Sequence, residues 1–113
     1  MKRIKRIEEI NADIVLLDSE DKQIIEEIVK YEEEIFHEGA IGIWNIKPFI
    51  KYGKVYALVS LEARLISAIE IMKDFEEHKA YIYGFFTKES FRNKGYGDMF
   101  LKNILEELHN IYG

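Results

Sequence analysis

Three apolar segments follow one another with very little chain between them. They are "KVYALVSL" (Lys54 to Leu61), "LISAIEIMKDF" (Leu65 to Phe75) and "AYIYGFF" (Ala80 to Phe86). Only Glu62 to Arg64 and Glu76 to Lys79 separate them. Polar joints that short suit hairpins, so the three strands are expected to run antiparallel. The segments are apolar on both faces, which predicts a sheet covered on both sides.

The cover has to come from helices. "DIVLLD" (Asp13 to Asp18) reads as a strand, with the start of a helix as the alternative. Ile24, Ile25, Ile28, Val29, Ile35 and Phe36 then follow the 3.6-residue period of a helix from about Asp21 to Phe36. Asp18 or Ser19 can cap it, and Glu20 and Asp21 suit its positive end. His37 to Asn45 reads as a loop, Ile46 to Tyr52 as a short helix ended by Gly53. A last helix begins near Gly95 or Tyr96, with Phe100, Leu101, Ile104, Leu105, Leu108 and Ile111 as a wide apolar face. The expected order is β-α-α-β-β-β-α. That is an α+β domain with a mostly antiparallel sheet flanked by helices.

Composition narrows the function. In 113 residues the net charge is −5, which argues against a general nucleic-acid binder. No apolar run is long enough to span a bilayer, and "MKRIKRIEEI" lacks the apolar core of a signal peptide, so a cytoplasmic location is expected. There is no cysteine, and His37, His78 and His109 lack metal-ligand spacing, so no metal is expected. His78 and His109 read as surface residues.

Against that acidic background, "FRNKGYGDMF" (Phe91 to Phe100) stands out. Lys88, Arg92 and Lys94 gather positive charge, and Gly95 and Gly97 lie at the mouth of the last helix. A helix N-terminus presents unpaired N–H groups and partial positive charge. Glycines there let an anion reach the backbone, a combination that binds phosphates. A P-loop would need Gly-Lys-Ser/Thr, which is absent. A dinucleotide fingerprint would need a third glycine where Phe100 stands. A tight strand-to-helix connection without a ligand is the plainer alternative.

The remaining pattern, Arg-x-x-Gly-x-Gly between a strand and an amphipathic helix, resembles the acyl-CoA loop of the GCN5-related N-acetyltransferases. Ala80 to Leu108 looks like that family's fourth strand, pyrophosphate loop and third helix. The resemblance implies acetyl-CoA as acetyl donor and direct attack by a primary amine. It implies that Phe85, Phe86 and Thr87 hold the pantetheine arm through their backbone. Arg92, Asn93, Lys94, Gly95, Tyr96 and Gly97 would then hold the pyrophosphate. A non-catalytic acyl-CoA-binding or oligomerising module is the alternative.

Candidates for acid–base work are Glu70, Tyr81 and Tyr83. Glu70 interrupts an apolar strand on the face of Ala68 and Met72, and burial would raise its pKa toward a useful base. Its plainer reading is a structural carboxylate paired with Lys, Arg or a tyrosine hydroxyl. Tyr81 and Tyr83 share one strand face, and Gly84 suggests a bulge or a close backbone approach. His37, Glu38 and Trp44 lie where family members shape the acceptor pocket. The family usually continues with a fifth strand and a fourth helix, so residues 1–113 are expected to be a single, incomplete domain. A second copy could instead complete the sheet, as a homodimer through the exposed edge after Ala80 to Phe86.

Overall fold

The computed structural model describes residues 1–73 and 80–112. Five strands form one sheet in the order β1-β2-β3-β4-β5: Lys2–Ile7, Ala12–Leu16, Lys54–Ser60, Leu65–Lys73 and Ala80–Thr87. Every neighbouring pair is antiparallel. Three helices cover it: α1 (Lys22–Phe36), α2 (Gly42–Tyr52) and α3 (Tyr96–Tyr112). The two expected hairpins differ in standing. The β3–β4 pair is described in full, while the joint at Glu76 to Lys79, with the end of the expected strand at Phe75 and His78, lies outside the described residues.

The apolar faces of the strands account for two separate cores. On one face Val55, Ala57, Val59, Ala68 and Phe86 pack under Ile24, Ile25, Ile28 and Val29 of α1 and Ile46 of α2. On the other, Tyr56, Leu58, Ile66, Ile69 and Ile71 pack under Phe100, Ile104 and Leu108 of α3. Strand alternation, with one register shift between Leu58 and Val59, divides the side chains of β3 and β4 between the two cores, and the polar ones lie mostly at the strand ends. Leu105 and Ile111 stay exposed, so the buried stripe of α3 is narrower than its apolar face.

Two elements differ from the sequence reading. The order is β-β-α-α-β-β-β-α, because "KRIKRI" adds strand β1 at the edge. Its inward residue is Ile7, and its basic residues stay at the surface, with Arg6 in a two-pronged pair to Asp13 (2.7 and 3.1 Å). A short 3₁₀ turn at Glu8–Ile10 and left-handed Asn11 (φ 50°) make the reversal into β2. Second, α2 begins at Gly42, inside the stretch read as a loop. Ile41 and Ile46 are fully buried anchors that pull this segment onto the sheet. Pro48 sits inside α2, where its missing N–H leaves one helical bond unmade. Among the described residues no helix is long and apolar enough to cross a membrane.

Candidate active site

Strand β5 ends at Thr87, and a 3₁₀ turn (Glu89–Phe91) leads to the mouth of α3. Asn93 (φ 62°) and Gly95 (φ 79°) turn the backbone left-handed just before the helix. The first N–H seen to bond back belongs to Met99, which donates to the Gly95 carbonyl at 3.1 Å. The helix mouth therefore presents N–H groups with no intrahelical acceptor. A Cβ on Gly95 would meet nothing within 4 Å, so the space beside Gly95 is open. That fits an anion approaching the backbone, as the residue types suggest.

Gly97 has a different reason to be glycine. A Cβ there would lie 2.7 Å from Thr87 Oγ1. Its bare backbone lets α3 dock against the end of β5, where Thr87 Oγ1 also meets Ser67 Oγ at 3.2 Å. A bulky residue at this position would therefore disturb the docking of α3 as well as the helix mouth.

The basic side chains are largely committed to α1. Lys88 Nζ donates to Glu27 Oε1 at 2.7 Å and lies over the Tyr31 ring. Arg92 Nε donates to the Thr87 carbonyl at 2.9 Å, and its Nη2 reaches the Tyr31 hydroxyl at 3.4 Å. The same hydroxyl accepts from the Glu89 N–H at 3.0 Å, and the Tyr31 ring packs on Phe86. Tyr31 thus ties the loop to the helix across the sheet. Lys94 is exposed and makes no ion pair with a described residue. Sequence reasoning missed Glu27 and Tyr31, because their partners lie about sixty residues away.

Strand β5 is an edge: among the described residues it pairs with β4 alone. The Phe86 backbone faces β4, and the Thr87 carbonyl accepts from Arg92, so the outward groups an extended chain would meet are those of Phe85 and the Thr87 N–H. Phe86 is buried toward α1, while Phe85 faces α3, its ring 6.3 Å from that of Phe100.

A bulge breaks the alternation of β5. Glu70 pairs with Gly84 and Ile71 with Ile82, which leaves Tyr83 as the extra residue. Regular alternation would send Tyr81 and Tyr83 to the α3 side with Phe85. The bulge turns them to the other face instead, where Tyr81 sits opposite Met72 and Tyr83 packs on Phe49 of α2 (5.3 Å). Both rings are half exposed.

On this same face lies Glu70, 0% exposed. Gly84 makes room for it, since a Cβ there would be 2.9 Å from Glu70 Oε1. Its neighbour is Glu32 of α1, also 0% exposed. This replaces the sequence reading of a partner among Lys, Arg and Tyr: the group facing Glu70 is a second carboxyl. Glu32 occupies a position of the apolar stripe of α1, four residues after Ile28 and three after Val29, a signal the sequence did contain. No N–H or hydroxyl donor among the described residues reaches any of the four carboxyl oxygens. Burial first, then the adjacent Glu32 carboxyl, pushes the Glu70 pKa up from 4.5 to about 10.

A raised carboxyl pKa has a definite sign in stability. The folded state holds its proton longer than the unfolded chain, so the stabilisation is complete below about 4.5 and is lost as pH rises toward 10. Asp13, which its hydrogen bond from Arg6 holds below the usual range, works oppositely and only in acid below about 3.8. Urea unfolding midpoints are therefore expected to fall from mildly acidic to mildly alkaline pH. Glu70→Gln should flatten that slope, the limit being about 1.4 kcal/mol per pH unit for one proton.

His37 and Glu38 lie on the α1–α2 connection and Trp44 in the first turn of α2, all exposed, Trp44 at 77%. His37 takes a left-handed backbone (φ 51°) at the end of α1, and Lys47 covers the Trp44 ring at 4.8 Å. None of the three has a hydrogen bond or ring contact to Glu32 or Glu70.

This architecture is shared with solved acetyltransferases. A GNAT-family acetyltransferase from Staphylococcus aureus Mu50 is similar at 11% identity and TM-score 0.68, over 88% of this chain and 67% of that one. N-acetylglutamate synthase from Neisseria gonorrhoeae, complexed with coenzyme A and N-acetyl-glutamate, is similar at 17% identity and TM-score 0.68, over 88% of this chain and 23% of that one. An aminoglycoside acetyltransferase from an uncultured soil metagenomic sample, in complex with sisomicin, is similar at 15% identity and TM-score 0.68, over 88% of this chain and 71% of that one. No curated protein matches the chain. Sheet, helices and helix-mouth loop together define the acyl-CoA N-acyltransferase fold. The model of the acetyltransferase (GNAT) family matches residues 16–112, and the chain belongs to that family.

Proposed function

We propose that this chain acts as an N-acetyltransferase that binds acetyl-CoA and transfers its acetyl group to a primary amine. The observation that carries this reading is the mouth of α3, with left-handed Gly95 and free space beside it, at the end of a strand that among the described residues pairs on one side alone. Asn93 to Gly97 would hold the pyrophosphate by backbone N–H groups, with Lys94 adding charge. The outer edge of β5 at Phe85 to Thr87 would hold the pantetheine arm. The thioester would then lie near the bulge, with Glu70 on the acceptor side as proton acceptor and Tyr81 and Tyr83 bordering the amine. His37, Glu38 and Trp44 would form the outer rim of the acceptor approach.

Acetyl-CoA at a hundred times its Kd should stabilise the fold by about 2.7 kcal/mol. A thermal-shift titration should register this as a rise of roughly 10 °C. Release of free thiol on adding a primary amine then tests transfer. Binding without thiol release would replace the enzyme with an acyl-CoA-binding module. No shift at saturating acetyl-CoA would remove both readings. Pairing of two copies through the β5 edge is read from the concentration dependence of sedimentation.

A further inference from the structure

We propose that Glu32 and Glu70 act as one proton-sharing carboxyl pair that receives the acceptor in its ammonium form, which makes the acceptor a cationic aliphatic amine. In this arrangement the pair, already holding one proton, takes a second at its ionised carboxyl, and Glu32 sets where Glu70 titrates. The inference rests on the acetyl-transfer reading for its chemistry, though not for its test.

Two fully buried carboxyls facing each other with no other donor are costly, and leaving both ionised is costlier still. The pair therefore keeps at least one proton. Among the described residues, no cation is among the groups acting on Glu70. Opposite Glu70, β3 brings Val55 and β5 brings Gly84. Alpha-helix α2 brings Phe49 against Tyr83, and Tyr81 stands opposite Met72 on the same face. Among the described residues, the titratable group acting on Glu70 is Glu32. Lys88 and Arg92, which also meet α1, are held by Glu27, Tyr31 and the Thr87 carbonyl. No third metal ligand joins the two carboxyls among the described residues. The partner that fits is a compact donor with several N–H groups, and an ammonium has three.

The location suits such a guest. Gly84 places no side chain between the Glu70 carboxyl and the bulged segment of β5. An amine passing Phe49 and Tyr83 would meet the pair directly beside the strand that lines the proposed thioester slot. The step balances. The amine nitrogen bonds to the acetyl carbon as the carbon–sulfur bond breaks. Of the two protons the ammonium gives up, one goes to the carboxyl pair and one to the departing sulfur.

The test is a pH titration of the glutamate δ-carbons by NMR, without acetyl-CoA, in the full chain and in Glu32→Gln and Glu70→Gln. The full chain should show two coupled steps, one of them above neutrality. In Glu32→Gln, Glu70 should titrate at least about one pH unit lower, since one cause of its shift is gone. Butylammonium should move both δ-carbon signals in the full chain, and should do so far less in Glu70→Gln. In turnover, the acid limb of kcat/KM for butylamine should move down with Glu70 in Glu32→Gln. Its preference over neutral aniline should drop about tenfold. A purely structural Glu32 would leave that profile in place. Ordinary carboxylate titration of both residues in the full chain would overturn the shared proton. Unmoved signals with butylammonium, or an unchanged amine preference in Glu32→Gln, would overturn the ammonium site. Failure of acetyl-CoA to bind would sink the transferase reading alone, because the titrations stand without it.

Discussion

Gly53→Ala is expected to be among the most destabilising single substitutions in this chain. Gly53 ends α2, donates to the Phe49 carbonyl at 2.9 Å and leads straight into β3. A Cβ there would stand 2.2 Å from the Ile71 carbonyl oxygen and 3.1 Å from that of Phe49. Both obstacles are backbone atoms, one in the sheet and one in the helix, so neither can swing aside. The φ of −110° is open to any residue, and the whole cost comes from this close approach. Relief requires α2 to lift from β4 and would uncover Ile46 and Phe49. A loss of about 3 kcal/mol or more follows, comparable with a large core truncation. The unfolding temperature should drop by roughly 10–20 °C. A variant melting within a degree or two of the parent would show that α2 does not sit where this geometry puts it.

Gly95→Val is expected to weaken acetyl-CoA binding by on the order of 100-fold, equivalent to one or two charge-assisted hydrogen bonds. The reasoning differs from that for Gly53. Space is free around Gly95, so packing does not forbid a side chain. The φ of 79° does, since a β-branched residue is a true outlier in the left-handed region. Valine would push the loop out of that conformation and turn N–H groups away from a bound pyrophosphate. It would also fill the approach. The strain falls on an exposed loop, so the melting temperature should move far less than in Gly53→Ala. Isothermal titration with acetyl-CoA measures the effect, and affinity retained within a factor of three would remove the loop from the binding site. Lys94→Ala, which deletes one exposed charge and keeps the backbone, should cost only a few-fold and lose that effect in high salt.

The contrast between these glycines shows what was legible beforehand. Gly95 and Gly97 drew notice as a pair, for one shared reason. In the structure Gly95 is needed for backbone hand and Gly97 for the approach of Thr87. Spacing along the chain marks where a side chain is unwelcome without saying what would collide with it. The N-terminal strand was missed for a related reason. "KRIKRI" exposes most of its residues, and its place depends on pairing with β2 and on the Arg6–Asp13 contact. The early start of α2 was hidden by glycines that read as loop, while Ile41 and Ile46 supply the burial that holds it.

Local pattern alone determined the antiparallel run of β3 to β5, the periodic stripes of α1 and α3, the loop before α3 and the odd position of Glu70. Each of these depends on residues within a few positions of one another, where the strand period of two and the helix period of 3.6 act directly. Tertiary structure decided the partners. It set Glu32 against Glu70, turned Lys88 and Arg92 toward α1, and used one bulged residue to move Tyr81 and Tyr83 to the face of the carboxyl pair. Periodicity assigns a residue to a face, but the group it meets there is fixed by how separate elements stack, through contacts that span most of the chain.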